Sequence, residues 1–346
     1  MYKGLVVDAS LLKSDPHFSL GCKFCHQGDD KAMAKEAAHQ GLIKKPSDNL
    51  KACAMCHKKI TDTYAKALHY TTVGQKTGIA HRFSEGERKI FEDRVFEKSC
   101  RTCHASCGAC HVKAQPVGGI GIGLIKNHKF VKKSEGKTCA FCHGGRVYTE
   151  YTGEYGEAPD IHYQKGMLCL DCHQKSELHG DGNAYQSMRE VKDRPSCTKC
   201  HKLGNEPKLT TRTAHQVHQG KVSCYGCHVA SAYRNCSQCH LEIGAKSFPE
   251  TYLGKSPRNK NVLTTLRLVP THRNTFQGAG LKMENYDRQP NYWDSPVHNI
   301  RKRTDRTQSC DVCHVERRDF LSTEKLIKDG SQENKNLIMK LKDISR

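Results

Sequence analysis

This sequence has too little apolar material to build an ordinary core. Its 346 residues include one tryptophan, aromatic side chains make up 7%, and the AVILMFWYC set reaches 36%. Counting the 28 glycines as well brings the apolar share to about 44%, at or just under the usual range. Mean hydropathy is −0.72. Long hydrophobic runs are missing too: the most apolar stretch, residues 118–125 (GGIGIGLI), is half glycine. Nothing approaches the roughly 18 apolar residues of a membrane span, so none is expected. The opening MYKGLVVDAS lacks the apolar segment of a secretory signal. Negative charge is short as well. The 36 acidic residues face 56 basic ones, for a formal net charge of +20. Taken alone, that balance suggests nucleic acid or an anionic surface as partner, but no nucleic-acid motif accompanies it.

Cysteine and histidine are present in excess, at 20 and 21 residues. Every cysteine lies in a C-x-x-C pair, and a histidine directly follows each pair. In chain order the ten motifs are Cys22, Cys25 and His26; Cys53, Cys56 and His57; Cys100, Cys103 and His104; Cys107, Cys110 and His111; Cys139, Cys142 and His143; Cys169, Cys172 and His173; Cys197, Cys200 and His201; Cys224, Cys227 and His228; Cys236, Cys239 and His240; and Cys310, Cys313 and His314. C-x-x-C-H is the attachment signature of c-type haem. Thiols at i and i+3 share one face of a helical turn. There they form thioethers with the two vinyl groups on one porphyrin edge, and the next residue sets an imidazole beneath the iron. Zinc ribbons also pair C-x-x-C, and secreted scaffolds also carry even cysteine counts. Neither demands histidine after every pair. With His at 21 of 346 positions, ten such coincidences have odds on the order of 10⁻¹². Ten covalently bound haem c groups are expected.

Ten irons need ten sixth ligands, and eleven histidines remain. They are spread so that most segments between motifs hold one. The expected distal ligands are His17, His39, His69, His128, His162, His179, His215, His218, His272 and His298, giving ten bis-histidine, low-spin irons. His81 is left over, because His69 already serves its segment. Methionines such as Met167 are read as packing residues. Ten haems also carry twenty propionates, up to about −20 against the formal +20. Much of the Lys and Arg excess is then internal compensation, and nucleic acid is set aside as a partner.

One haem per roughly 35 residues leaves little chain for regular layers. The expected fold is a multihaem cytochrome c, mostly coil with short helices wrapped around ten stacked haems and little or no β-sheet. Gaps between first cysteines run 31, 47, 7, 32, 30, 28, 27, 12 and 74. The gaps of 7 and 12 place neighbouring haems close in space. Three regions follow along the chain: 1–95 with two haems, a dense seven-haem core at 96–243, and 244–346, a haem-poor arm or lobe with the tenth haem and a helical tail. That tail reads as two short helices broken at Gly330, with Phe320, Leu321, Leu326 and Ile327 on one apolar side and Leu337, Ile338 and Leu341 on another.

Beyond the motifs, the stretches CHASCGACHV (103–112), CAFCHGGRVYTEYTGEYGEAPDIHYQKGMLCLDCH (139–173), ELHGDG (177–182) and YWDSPVHNIRKRT (292–304) resemble multihaem c-type cytochromes of metal-reducing and syntrophic prokaryotes. Members of that group carry electrons across or beyond the cell envelope, and some polymerise into filaments with a continuous haem stack. The resemblance implies a non-enzymatic electron carrier at the cell surface or outside the cell. Its partners would be other multihaem cytochromes, extracellular acceptors and, in a filament, further copies of itself. It also implies distal-ligand roles for His162, His179 and His298. Two rivals share the chemistry: a multihaem reductase of the tetrathionate, nitrite or hydroxylamine type, and a discrete periplasmic or porin-bound relay. A reductase needs an open iron, and no motif here replaces its histidine by lysine. Haem attachment takes place outside the cytoplasm, so a trimmed leader is expected.

Overall fold

The computed structural model describes residues 9–113, 128–132, 136–154, 158–229, 251–269, 271–294 and 296–340. Short helices joined by irregular connections dominate, as the haem-dense spacing predicts. The sheet among the described residues is a two-stranded ladder and a three-stranded sheet. The chain forms two compact units, each assembled from three segments: 1–74, 103–139 and 173–194 in one, and 75–102, 140–172 and 195–346 in the other.

In the first unit the longest helix is α1 (Lys51–Tyr64), which carries the second motif and kinks at His57. Thr61 and Tyr64, three residues apart and so on one face, are its buried positions. The Tyr64 hydroxyl donates to the Ala105 carbonyl at 2.6 Å. Strands β1 (Val112–Lys113) and β2 (Lys129–Phe130) pair antiparallel, Val112 opposite Phe130. His111 and His128 immediately precede the two strands and so stand at opposite ends of this short ladder. Gly180 has φ +78°, and a Cβ there would lie 2.6 Å from the Thr63 carbonyl. Only glycine allows the backbone this close to α1, and His179 is held beside it. Asp181, next in the chain, accepts from the Asn183 backbone N–H at 3.0 Å and the Tyr185 hydroxyl at 2.7 Å, which makes this segment an Asx-type turn.

The hydrophobic clusters among the described residues lie in the second unit. Phe83, Phe91, Phe96, Leu281, Met283 and Tyr286 form one buried cluster. It is fastened by Glu87, which accepts from the backbone N–H groups of Lys282 (2.7 Å), Met283 (2.9 Å) and Glu284 (3.1 Å). Helix α2 (Leu209–His218) follows. The haem-free stretch then folds into a sheet in which β3 (Tyr252–Lys255) pairs antiparallel with β4 (Leu263–Leu268), and β4 with β5 (Tyr292–Trp293). Leu266 and Leu268, two apart on one face, pack with Tyr252, Tyr292, Leu321, Ile327 and Leu337. Each fully buried aliphatic side chain is worth about 1.5–3 kcal/mol. At Gly254 a Cβ would meet Leu266 Cδ1 at 2.6 Å and the Leu337 carbonyl at 2.8 Å, so tail and strand touch through missing side-chain volume.

The tail is therefore bound into the lobe, though as two 3₁₀ turns, Thr323–Lys325 and Gln332–Leu337, rather than α-helices. Gly330 lies between them. Leu341 falls outside the described residues.

Arg306 connects the sheet to the tenth motif. Its guanidinium donates to Asp319 at 2.7 Å, to the Thr265 hydroxyl at 3.0 Å and to the Thr251 carbonyl at 3.1 Å, with the side chain 1% exposed. Cutting a buried ion pair on one side typically costs about 3–5 kcal/mol, because the remaining charge loses its partner. Arg306→Ala is expected to lower stability by about that amount, read as a reduced denaturant midpoint of the haem-loaded protein.

Candidate metal centres

Several of the described motifs lie on single turns, which suits their i, i+3, i+4 spacing. Cys22–His26, Cys107–His111 and Cys224–His228 are one-turn α-helices, and the fifth motif ends the helix Lys137–His143. Of the twenty cysteines, the seventeen with described side chains are all free of disulfides. The ninth motif (Cys236, Cys239, His240) and the Cys103 side chain lie outside the described residues. Among the described residues no group of three or more His, Cys, Asp and Glu converges on one point. A structural zinc needs four ligands, so the ligands are arranged in pairs and not in zinc-type tetrads.

The pairs are of imidazoles. In the first unit, ring centres lie 6.2 Å apart for His17 and His57, 5.8 Å for His26 and His128, and 5.9 Å for His111 and His179. In the second unit they lie 5.9 Å apart for His162 and His201, 6.1 Å for His215 and His228, and 6.1 Å for His218 and His314. A metal–imidazole bond is about 2 Å and the ring centre sits about 1.1 Å behind the bonding nitrogen, so two imidazoles across one iron have centres about 6.2 Å apart. All six pairs match that span. Each joins one motif histidine to one histidine outside the motifs, so these residues fit a haem iron held from both sides.

The other ring nitrogen is also provided for. Nδ1 of His26, His111 and His228 bonds to the carbonyls of Ile43 (2.8 Å), Val131 (2.8 Å) and Arg301 (3.0 Å). His104 does the same to Tyr70 at 2.5 Å, and His218 to Ala214 at 2.8 Å. Four other histidines meet carboxylates instead: His17 with Asp15 (2.8 Å), His162 with Asp160 (2.9 Å), His173 with Glu177 (2.7 Å) and His215 with Glu206 (2.5 Å). An acceptor at Nδ1 fixes the proton there and leaves the Nε2 lone pair for a metal. Burial, reinforced by His26 and by His111 respectively, lowers the pKa of His128 and of His179. A lowered pKa favours the neutral imidazole that ligation requires.

Asp15 and Asp160 are residues that the motif count alone does not reveal. Each caps a short helix, accepting both the backbone N–H and the ring Nδ1 of the histidine two residues on. Their signature is Asp-x-His, in Asp15-Pro16-His17 and Asp160-Ile161-His162. Helix α2 uses another device: His215 and His218, three apart on one face, each meet a different motif histidine.

Sulfurs of separate motifs also approach one another. Cys53 and Cys107 are within hydrogen-bond reach, as are Cys197 and Cys224. Cys25 neighbours Cys53, Cys172 neighbours Cys200, and Cys227 neighbours Cys313. Attachment points are thus adjacent for motifs one, two and four in the first unit. In the second unit they are adjacent for the Cys172 end of motif six and for motifs seven, eight and ten.

The remaining candidates stand elsewhere. His69 lies on the turn Leu68–Thr71, its carbonyl accepting from Ala105 N–H at 3.0 Å. The His298 backbone N–H donates to Glu150 at 3.1 Å. His272 is half-buried, and burial lowers its pKa. His104 packs against the Tyr70 ring, centres 4.8 Å apart, and is not brought to an imidazole among the described residues. His39, expected to be a ligand, and His81, expected to be spare, are both exposed without an imidazole partner among the described residues.

No protein-family model matches the chain, and no solved structure gives a significant match. Among curated proteins it is similar to the dissimilatory sulfite reductase MccA of Wolinella succinogenes, 22% identical over 252 residues. The alignment takes in 62% of this chain and 31% of the relative, so the match spans about a third of that protein's length.

Removing one imidazole of a pair should open one axial position. His215→Ala is expected to give a high-spin ferric signal and CO binding in the reduced protein at one site per molecule. Wild type should show neither at that iron, as followed by EPR and difference absorption spectroscopy.

Proposed function

We propose that the protein is a multihaem c-type cytochrome that carries electrons, with ten haem c groups tethered through its twenty cysteines. The observation that carries this reading is that six motif histidines each stand opposite a non-motif histidine at the span of one iron. Bound haem iron supplies one-electron exchange between ferric and ferrous states. The paired histidines would hold each of these irons from both sides, which would leave no site there for a substrate. Acceptors at Nδ1 hold the rings in one orientation through a redox cycle. Neighbouring cysteines set successive attachment points side by side, which suits transfer from centre to centre. The small core fits the same reading, because tethered porphyrin replaces the apolar side chains the sequence lacks.

The proposed setting is outside the cytoplasm, at the cell surface or beyond it, with the periplasm as the alternative. Other multihaem cytochromes and extracellular acceptors are the proposed partners. Assembly into a conductive filament is the further form of this proposal. Electron microscopy of the purified protein decides it: a regular subunit repeat supports the filament, and discrete particles support a relay.

A second reading, a multihaem reductase, is favoured by the similarity to a protein named a sulfite reductase. It requires one open iron.

A pyridine haemochrome assay on natively matured protein is expected to return about ten haems per chain. Turnover of sulfite by the reduced protein should not exceed slow outer-sphere oxidation. Saturable, rapid sulfite reduction accompanied by CO binding to the unaltered protein would establish the reductase instead.

A further inference from the structure

Nine candidate ligand histidines divide by the charge of the group that their Nδ1 meets. His26, His104, His111, His218 and His228 meet neutral backbone carbonyls. His17, His162, His173 and His215 meet carboxylates. These carboxylates are sheltered: side-chain exposure is 13% for Asp15, 2% for Asp160, 4% for Glu177 and 16% for Glu206. A hydrogen bond to an ionised acceptor is roughly twice as strong as one to a neutral acceptor. It draws the Nδ1 proton away, makes Nε2 a stronger electron donor, and leaves a negative charge one imidazole from the metal. All three effects favour the ferric state.

We propose that Asp15, Asp160, Glu177 and Glu206 hold the irons of motifs two, seven, six and eight at lower reduction potentials than irons whose imidazoles meet only carbonyls. The proposal rests on the multihaem reading above and adds a profile to it. In the second unit, motifs seven and eight are adjacent through Cys197 and Cys224, and each has a carboxylate-backed distal histidine. Motif ten adjoins motif eight through Cys227 and Cys313, and its distal His218 meets only the Ala214 carbonyl. An electron passing from the eighth centre to the tenth therefore moves to higher potential. In the first unit the order is reversed. The carboxylate-backed second centre lies between the first and fourth, whose motif histidines meet carbonyls, so an electron is driven outward from it to either side.

The test uses Glu206→Gln and Asp15→Asn, near-isosteric changes that keep an oxygen available to Nδ1–H and remove the charge. Asp93→Asn is the control, an exposed carboxylate paired with Lys89 on its own helix. Each variant is titrated spectropotentiometrically beside wild type, with haem count and low-spin EPR signals recorded on the same samples. Glu206→Gln and Asp15→Asn should each raise the midpoint of one low-potential haem. A tenfold loss of preference for the ferric state corresponds to about 59 mV for one electron. Asp93→Asn should leave the titration unchanged. Superimposable titrations for all variants, with ten haems and low-spin signals retained, overturn the proposal and leave the cytochrome reading standing. A wild-type haem count far below ten sinks that reading instead.

Discussion

Two imidazoles, one from a haem-attachment motif and one from elsewhere in the chain, held about 6 Å apart between ring centres, form the contact around which this protein is organised. The spacing suits a single metal atom between them. Every described pair obeys it while differing in ring twist, from 21° for His111 and His179 to 68° for His162 and His201. The separation is fixed and the torsion is left to local packing. That division is what two axial bonds to a common iron require.

Most of the ordered architecture can be understood as support for that contact. Asp15 and Asp160 cap short helices and orient the histidines two residues on. The β1–β2 ladder carries His111 and His128, and Val131 exchanges two hydrogen bonds with His111, one through the backbone and one through the ring. The three-stranded sheet does the same for the eighth motif. Ser223 and Thr264 share a hydroxyl contact at 2.7 Å, the Thr265 hydroxyl donates to the Tyr225 carbonyl, and Arg301 accepts from His228. The haem-free stretch thus serves the haem-binding residues by clamping them.

The support is polar where a larger domain would rely on apolar packing. Arg82 sends three hydrogen bonds to the carbonyls of Tyr286, Gln289 and Pro290, while Glu87 and Arg306 make comparable sets of contacts. Such groups are costly to bury and specific once satisfied. With one tryptophan and an apolar share of 36%, the chain has few alternatives. The similarity to a sulfite reductase extends over about a third of that protein's length.

What the sequence determined alone was local: twenty sulfurs and ten histidines at i, i+3 and i+4, the stock of further imidazoles, and a fold of short helices with little sheet. Those features were legible because a thioether pair and its proximal ligand need only one turn of backbone. Pairing was a different matter. His17 meets the histidine of the second motif and not the nearer first, while His26 reaches His128 far along the chain. The sulfur contact described for the fourth motif is with the second, Cys107 to Cys53, a partner the motif gaps do not point to. Asp15, Asp160, Glu177 and Glu206 were not singled out, although Asp-x-His and the i, i+4 spacing of His173 and Glu177 were readable signals. Partners that meet through space depend on how distant segments fold onto one another. Only the tertiary structure decided which rings and sulfurs came together.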